Sequence, residues 1–176
     1  QLAQIISDKY KVKVVGMGCD ISDPISVQKM VEQVVKEFGE INILHNNAAA
    51  KSTDLDAFFA PFEEYSLDQW RNIMSVNLDG MFLVAQAVGK QMVAQEKGGS
   101  IIQTASIYGV MAPDQRIYEG SFYFDREINT PAVYSSSKSA VVGLTKHLAT
   151  YWADAGIRVN TLTPGGVESG QNDEFK

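Results

Sequence analysis

Residues Ile41–Ala50 read INILHNNAAA. Ile41–His45 is a short apolar run of strand length, the pattern of a strand buried in a parallel sheet. Upstream, Asp23–Phe38 (DPISVQKMVEQVVKEF) opens with Asp then Pro, a helix-start signature. Val27, Met30, Val31, Val34, Val35 and Phe38 then recur at helical spacing, and Gly39 ends the pattern. Before it, Lys11–Val15 (KVKVV) alternates like a strand. Downstream, Ser66–Gln95 reads as one long helix, and Ser100–Ala105 (SIIQTA) reads as a strand. Tyr134–Ala155 is helical until Gly156 stops it, and Ile157–Leu162 (IRVNTL) is a last strand closed by Pro164 and Gly165. Strands alternating with helices specify an α/β fold, a parallel sheet with helices on both faces. Such sheets bind ligands at the carboxyl ends of their strands. The segments that follow the expected strands are GMGCD, NNAAA, Ser106 and PGGVES.

Composition narrows the functions open to such a fold. The chain has 176 residues, of which 45% are hydrophobic and 20% charged, enough apolar material for a packed core. Fifteen Lys and Arg stand against 21 Asp and Glu, a net charge of −6. That sign disfavours nucleic acid and anionic membranes as partners. The single cysteine, Cys19, excludes an intrachain disulfide framework and a cysteine metal cluster, and is read as a packing residue. Two histidines without clustered carboxylates argue against a metal site. His45 is expected to be packed, and neither it nor His147 is assigned to catalysis. No apolar run is long enough to span a bilayer, and the N-terminal residues lack a signal-peptide layout. A cytoplasmic location is expected.

Tyr134 and Lys138 in YSSSK lie one helical turn apart and therefore on one face. An ammonium beside a phenol favours the phenolate, which suits the pair to acid–base work. The spacing alone is also that of an ordinary exposed pair. Ser106 follows a strand, where its hydroxyl is placed either for a substrate carbonyl or to cap the next turn. Asn77 stands inside an apolar helical pattern, with Gly80 nearby to permit a kink.

Taken together, HNNAAA, SVNLDG, SIIQTAS, YSSSK and IRVNTLTPGGVES resemble, in order and nearly in spacing, the classical short-chain dehydrogenases/reductases. The likeness runs from about Val12 to Ser169. It implies a Rossmann-type doubly wound sheet of three α/β/α layers, here a partial single NAD(P)-binding domain over residues 1–176. It also implies a catalytic tetrad of Asn77, Ser106, Tyr134 and Lys138, with Tyr134 as general acid/base, Ser106 polarising the substrate oxygen, Lys138 holding a ribose and Asn77 anchoring a relay water. Asp20 and Ile21 resemble adenine contacts. Asn47, Ala48 and Ala49 resemble the stretch under the adenine-side ribose, and Pro164, Gly165, Val167 and Ser169 the stretch around the nicotinamide. Asn46 is read as structural. The cofactor implied is NAD or NADP, the reaction an alcohol–ketone interconversion, and the assembly a homo-oligomer, dimer or tetramer. An epimerase or dehydratase, and a non-catalytic interaction domain, are the alternatives.

The chain departs from the family pattern in three ways. No glycine-rich phosphate loop is present, since Ile21 stands where Gly16 and Gly18 would need a third glycine. The expected segments after Ser169 are missing as well, so the chain is expected to be the middle of a longer protein. Tyr134 also follows Ser106 at an unusually long separation. The intervening Ala112–Pro131 stretch carries Tyr118, Phe122, Tyr123, Phe124, Asp114, Arg116, Glu119, Asp125 and Arg126. It suits a polar, sugar-derived substrate, or else a cover or subunit contact. Its length is similar to that in the nucleotide-sugar branch of the superfamily, with a weaker likeness to bacterial surface-sugar and flagellin-modification oxidoreductases.

Overall fold

The computed structural model describes residues 1–167. In chain order the helices are α1 (Leu2–Tyr10), α2 (Pro24–Phe38), α3 (Leu55–Phe58), α4 (Leu67–Met74), α5 (Met81–Gln95) and α6 (Ala132–Tyr151). The strands are β1 (Ile43–Asn46), β2 (Gly99–Thr104), β3 (Phe122–Tyr123), β4 (Arg126–Glu127) and β5 (Ile157–Leu162). β1, β2 and β5 form a parallel sheet with β2 in the centre, paired Leu44 to Ile101 and Ile101 to Val159. β3 and β4 form a separate small hairpin.

Local chemistry explains several of these bounds. Asp23 caps α2 by accepting from the N–H groups of Ile25 and Ser26, Pro24 occupies the first turn, and Gly39 closes the helix at a φ of 84°. Ser66 caps α4 through Gln69 N–H. Val27 and Val31 of α2, Val84, Val88 and Met92 of α5, Ile101 of β2, and Ile157 and Val159 of β5 make one core, against which Leu148, Ala149 and Trp152 pack. The helices α2, α5 and α6 thus share one face of the sheet, giving two of the expected layers. Among the described residues no helix is long and apolar enough to cross a membrane.

Three expectations change. Lys11–Val15 is irregular, because a strand requires a hydrogen-bonded neighbour and none lies beside it among the described residues. Ile41–His45 is not buried on both faces. Leu44 faces the core, while Ile43 is 69% exposed and His45 is exposed, bonded to Thr104 Oγ1 at 2.9 Å. The helix expected over Ser66–Gln95 is interrupted by a wide π-type turn at Ser75–Gly80. Its cause is tertiary: Asn77 is pulled towards Ala50, and Ile21 lies over Gly80 so closely that a Cβ there would sit 2.7 Å from the isoleucine side chain.

Gly89 on α5 meets the Trp152 ring, and a Cβ added there would lie 2.1 Å from Cη2. Alanine normally improves a helix by up to about 1 kcal/mol. Overpacking a buried contact costs about 1–3 kcal/mol and should win. Gly89→Ala is therefore expected to lower the thermal midpoint of the intact protein in calorimetry. An unchanged or raised midpoint would show that Trp152 moves aside freely.

Candidate functional site

The site assembles at the carboxyl end of β2. Beyond Thr104 the chain delivers Ala105 and then Ser106, whose Oγ accepts from Tyr108 N–H at 3.2 Å. That bond uses a lone pair and leaves the hydroxyl proton free to donate, so the capping and substrate-facing roles expected of Ser106 are compatible. The first turns of α6 bring Tyr134 and Lys138 beside it. Lys138 Nζ lies 5.8 Å from the centre of the Tyr134 ring and donates to Thr104 O at 3.1 Å. Ser106 and Lys138 are each 6% exposed.

Burial pushes the Lys138 ammonium below its ordinary value. An ammonium has three donors, and among the described residues only one is engaged. Two can be directed at ligand oxygens, and among the described residues no carboxylate pairs with the charge.

Asn77, 2% exposed, sits in the π-type turn and accepts from Ala50 N–H at 2.7 Å. It thereby fixes the turn that follows Asn47, Ala48 and Ala49, all three exposed at the rim. Asn46 is buried and joins three elements, donating to Met81 O at 2.8 Å and Gln103 Oε1 at 2.9 Å. Its structural reading holds, through side-chain rather than strand-ladder bonds. Pro164 is half-buried, and Gly165 and Val167 are exposed after β5. Ser169 lies outside the described residues.

Asp20 is exposed and bound at one carboxylate oxygen by the N–H and hydroxyl of Ser22, which hold its carboxyl below the ordinary range. Ile21 packs inward and towards Gly80. Cys19 is half-buried and receives Ser26 Oγ at 3.5 Å. His147 is exposed and stacked on Tyr151, away from the site.

Sequence reasoning passed over Tyr108. Its phenol contacts Tyr118 Oη at 3.0 Å, and that bond, with burial, pushes it up to about 12. Two phenols thus lie near Ser106 in contrasting settings. Tyr108 is held neutral by its partner, while Tyr134 stands next to an ammonium. The signal that could have found Tyr108 is its place two residues after Ser106.

A family model described as short chain dehydrogenase matches residues 1–176. The chain belongs to the short-chain dehydrogenase family. It is 40% identical over 149 residues to D-threitol dehydrogenase of Mycolicibacterium smegmatis, covering 85% of this chain and 49% of that protein. A crystal structure of NAD+-bound xylitol dehydrogenase superimposes with a TM-score of 0.79 at 32% identity, covering 96% of this chain and 56% of that one. A gluconate 5-dehydrogenase from Burkholderia cenocepacia, in complex with NADP and tartrate, gives 0.77 at 32% identity, covering 96% and 57%. The chain spans about half the length of the relatives it matches.

The setting of Lys138 has a measurable consequence. With its folded pKa below the ordinary 10.5, the charged form is held at a cost through neutral pH. That cost is relieved as pH rises through the lowered value, because there the unfolded chain binds more protons. Lys138→Met, without added cofactor, is expected to raise the thermal midpoint at pH 7 and to lose that advantage as pH approaches 10. A lower midpoint at pH 7 would mean that the Thr104 bond outweighs desolvation.

Proposed function

We propose that the intact protein is an NAD(P)-dependent oxidoreductase that interconverts a secondary alcohol and a ketone on a polyol or sugar-derived substrate. The observation that carries this reading is the buried Lys138 ammonium beside Tyr134, with one donor used and two left. Such an ammonium fits the hydroxyl groups of a ribose. Asn47, Ala48, Ala49, Pro164, Gly165 and Val167 supply the rim along which the dinucleotide would lie, and among the described residues, its chain neighbours aside, none comes within 4 Å of a Cβ built on Gly165. The nicotinamide, when bound, supplies the hydride acceptor or donor.

The protein's own groups do the rest. Tyr134 Oη takes the alcohol proton in one direction and returns it in the other. Ser106 Oγ donates to the same substrate oxygen. Lys138 stands beside the Tyr134 ring and would hold the ribose, and Asn77 holds the NNAAA turn in register through Ala50. Support for a polyol comes from the relatives named for threitol, xylitol and gluconate.

We further read residues 1–176 as one dinucleotide-binding domain, in a cytoplasmic protein that forms a homo-oligomer, dimer or tetramer. A lone cysteine in 176 residues suits a reducing compartment. Light scattering on the full-length protein is expected to give at least a dimer, and a monomer at micromolar concentration would count against that part.

The central test is Tyr134→Phe in the full-length protein. Removing the proton carrier should cut turnover of D-threitol or xylitol by at least about 100-fold. Cofactor affinity, followed by fluorescence of the reduced dinucleotide, should change by less than about threefold. Retained turnover would reject Tyr134 as the acid–base group.

A further inference from the structure

The stretch between Ser106 and Tyr134 does not trail over the surface. Arg126 pairs with Asp56, its Nη2 reaching Oδ2 at 3.1 Å. Asn129 Nδ2 donates to Phe59 O at 2.8 Å. Gln115 spans the stretch, donating to Thr130 O at 3.0 Å and accepting from Thr130 N at 3.1 Å.

These tethers bring three hydroxyls together. Thr130 Oγ1 donates to Tyr118 Oη at 2.8 Å, and Tyr118 Oη lies 3.0 Å from Tyr108 Oη. Tyr108 in turn is anchored to Ser106 through its backbone N–H. Three hydroxyls carry three protons. One is spent by Thr130 and one lies between the phenols. The third finds no acceptor among the described residues. The Tyr118 bond and burial push Tyr108 up to about 12, so the Tyr108 phenol keeps its proton.

Tyr118 and Thr130 also line a cavity of about 990 Å³, together with Phe59, Pro61, Glu127 and Asn129. Ser135 is also among its lining residues. The link from this lining to the reacting groups runs through Tyr118 to Tyr108, whose backbone N–H bonds Ser106 Oγ at 3.2 Å and whose phenol lies within electrostatic range of Tyr134. That lining suits a chain of hydroxylated carbons better than a fatty one.

We propose that Tyr118 and Tyr108 select the substrate by hydrogen-bonding a hydroxyl on a carbon other than the one that reacts, with Thr130 as the residue that positions Tyr118. This rests on the polyol reading above. A site built to bond a hydroxyl discriminates strongly against the analogue lacking it, since its own polar groups are then left unpaired. Here the phenols are half-buried, so a partial form of that discrimination follows.

The test compares D-threitol with 2-butanol, the same four-carbon chain without the additional hydroxyls. Full-length wild type, Tyr118→Phe, Thr130→Val and a control, Ile117→Thr, are assayed for kcat and KM on both. Ile117 is 60% exposed and outside the cluster. The threitol-over-butanol preference in kcat/KM is expected to fall about 10-fold or more in Tyr118→Phe, mainly through KM. Thr130→Val should shift the preference in the same direction, and Ile117→Thr should keep the wild-type ratio. Thr130→Val alone decides if Tyr118→Phe folds poorly. A wild type that prefers threitol, with both variants keeping that preference or losing activity equally on the two substrates, overturns the selection role and leaves the polyol reading standing. A wild type with no preference for threitol or xylitol over 2-butanol overturns both.

Discussion

Strand β2 is hydrogen-bonded on both sides, and the site hangs from its carboxyl end. Parallel pairing places Asn46 opposite Gln103, and Leu162 opposite Thr104. All three strands of this sheet therefore finish at one level, and the segments leaving them emerge together. Ile101 and Gln103 are fully buried, so β2 cannot shift without disturbing the core. From this fixed end come the carbonyl of Thr104 that receives Lys138 and, two residues on, the hydroxyl of Ser106. The asparagine at the end of β1 locks the neighbouring strand by bonding Gln103 and α5 at once. Positions that must hold to a few tenths of an ångström are thus set by paired backbone and packed side chains, rather than by loops.

Function costs stability at this point. A lysine buried, among the described residues, with one hydrogen bond and no carboxylate is a poor structural choice. The same group, with two donors unused, is well suited to receiving a ligand that supplies the missing oxygens. Ser106 shows a cheaper version of the same economy, since one hydroxyl both caps a turn and keeps its proton. Asn77 is the third case. Its side chain opens a helix by one wide turn and in exchange fixes the rim segment through Ala50.

What the sequence made legible was local. Asp23, Pro24 and Gly39 define α2 by chemistry contained within the helix, and the bounds match. Ile157–Leu162 matches because its ends, Gly156 and the Thr163–Pro164 step, are also local. The Tyr134–Lys138 face follows from helical geometry alone. Features that depend on distant partners were not legible. Lys11–Val15 has a strand's pattern, but pairing is a property of two segments. A kink near Asn77 and Gly80 was open to sequence reading, but its form, a π-type turn held by Ala50 and Ile21, was not. His45 looked packed because an apolar run precedes it, whereas the face it occupies is open. Tyr108 carries no motif beyond its place two residues after Ser106, and its phenol gains its role from Tyr118, 10 residues further along, which Thr130 bonds in turn.

The hairpin β3–β4 shows how a segment with weak local signals becomes ordered. Its turn residues, Phe124 and Asp125, have φ angles of 50° and 60°, a left-handed pair in which neither residue is glycine. Two-residue hairpins need that geometry, and Asn-Gly is the sequence that adopts it readily. An L-residue in this region costs about 1–2 kcal/mol, so the turn would not form on its own. It is held from outside instead. Arg126 grips Asp56 and bonds Phe124 O, Lys51 lies 5.3 Å from the Tyr123 ring centre, and Phe124 sits edge-on to Tyr123 at 4.5 Å. Each contact is small, and most are exposed. Two of them nevertheless cross from the hairpin to the segment that follows β1, Tyr123 to Lys51 and Arg126 to Asp56, and Asn129 adds a third tie to Phe59 O. Strain in the turn therefore accompanies the fastening of this stretch to the segment after β1, and the same stretch carries Tyr118 to Tyr108.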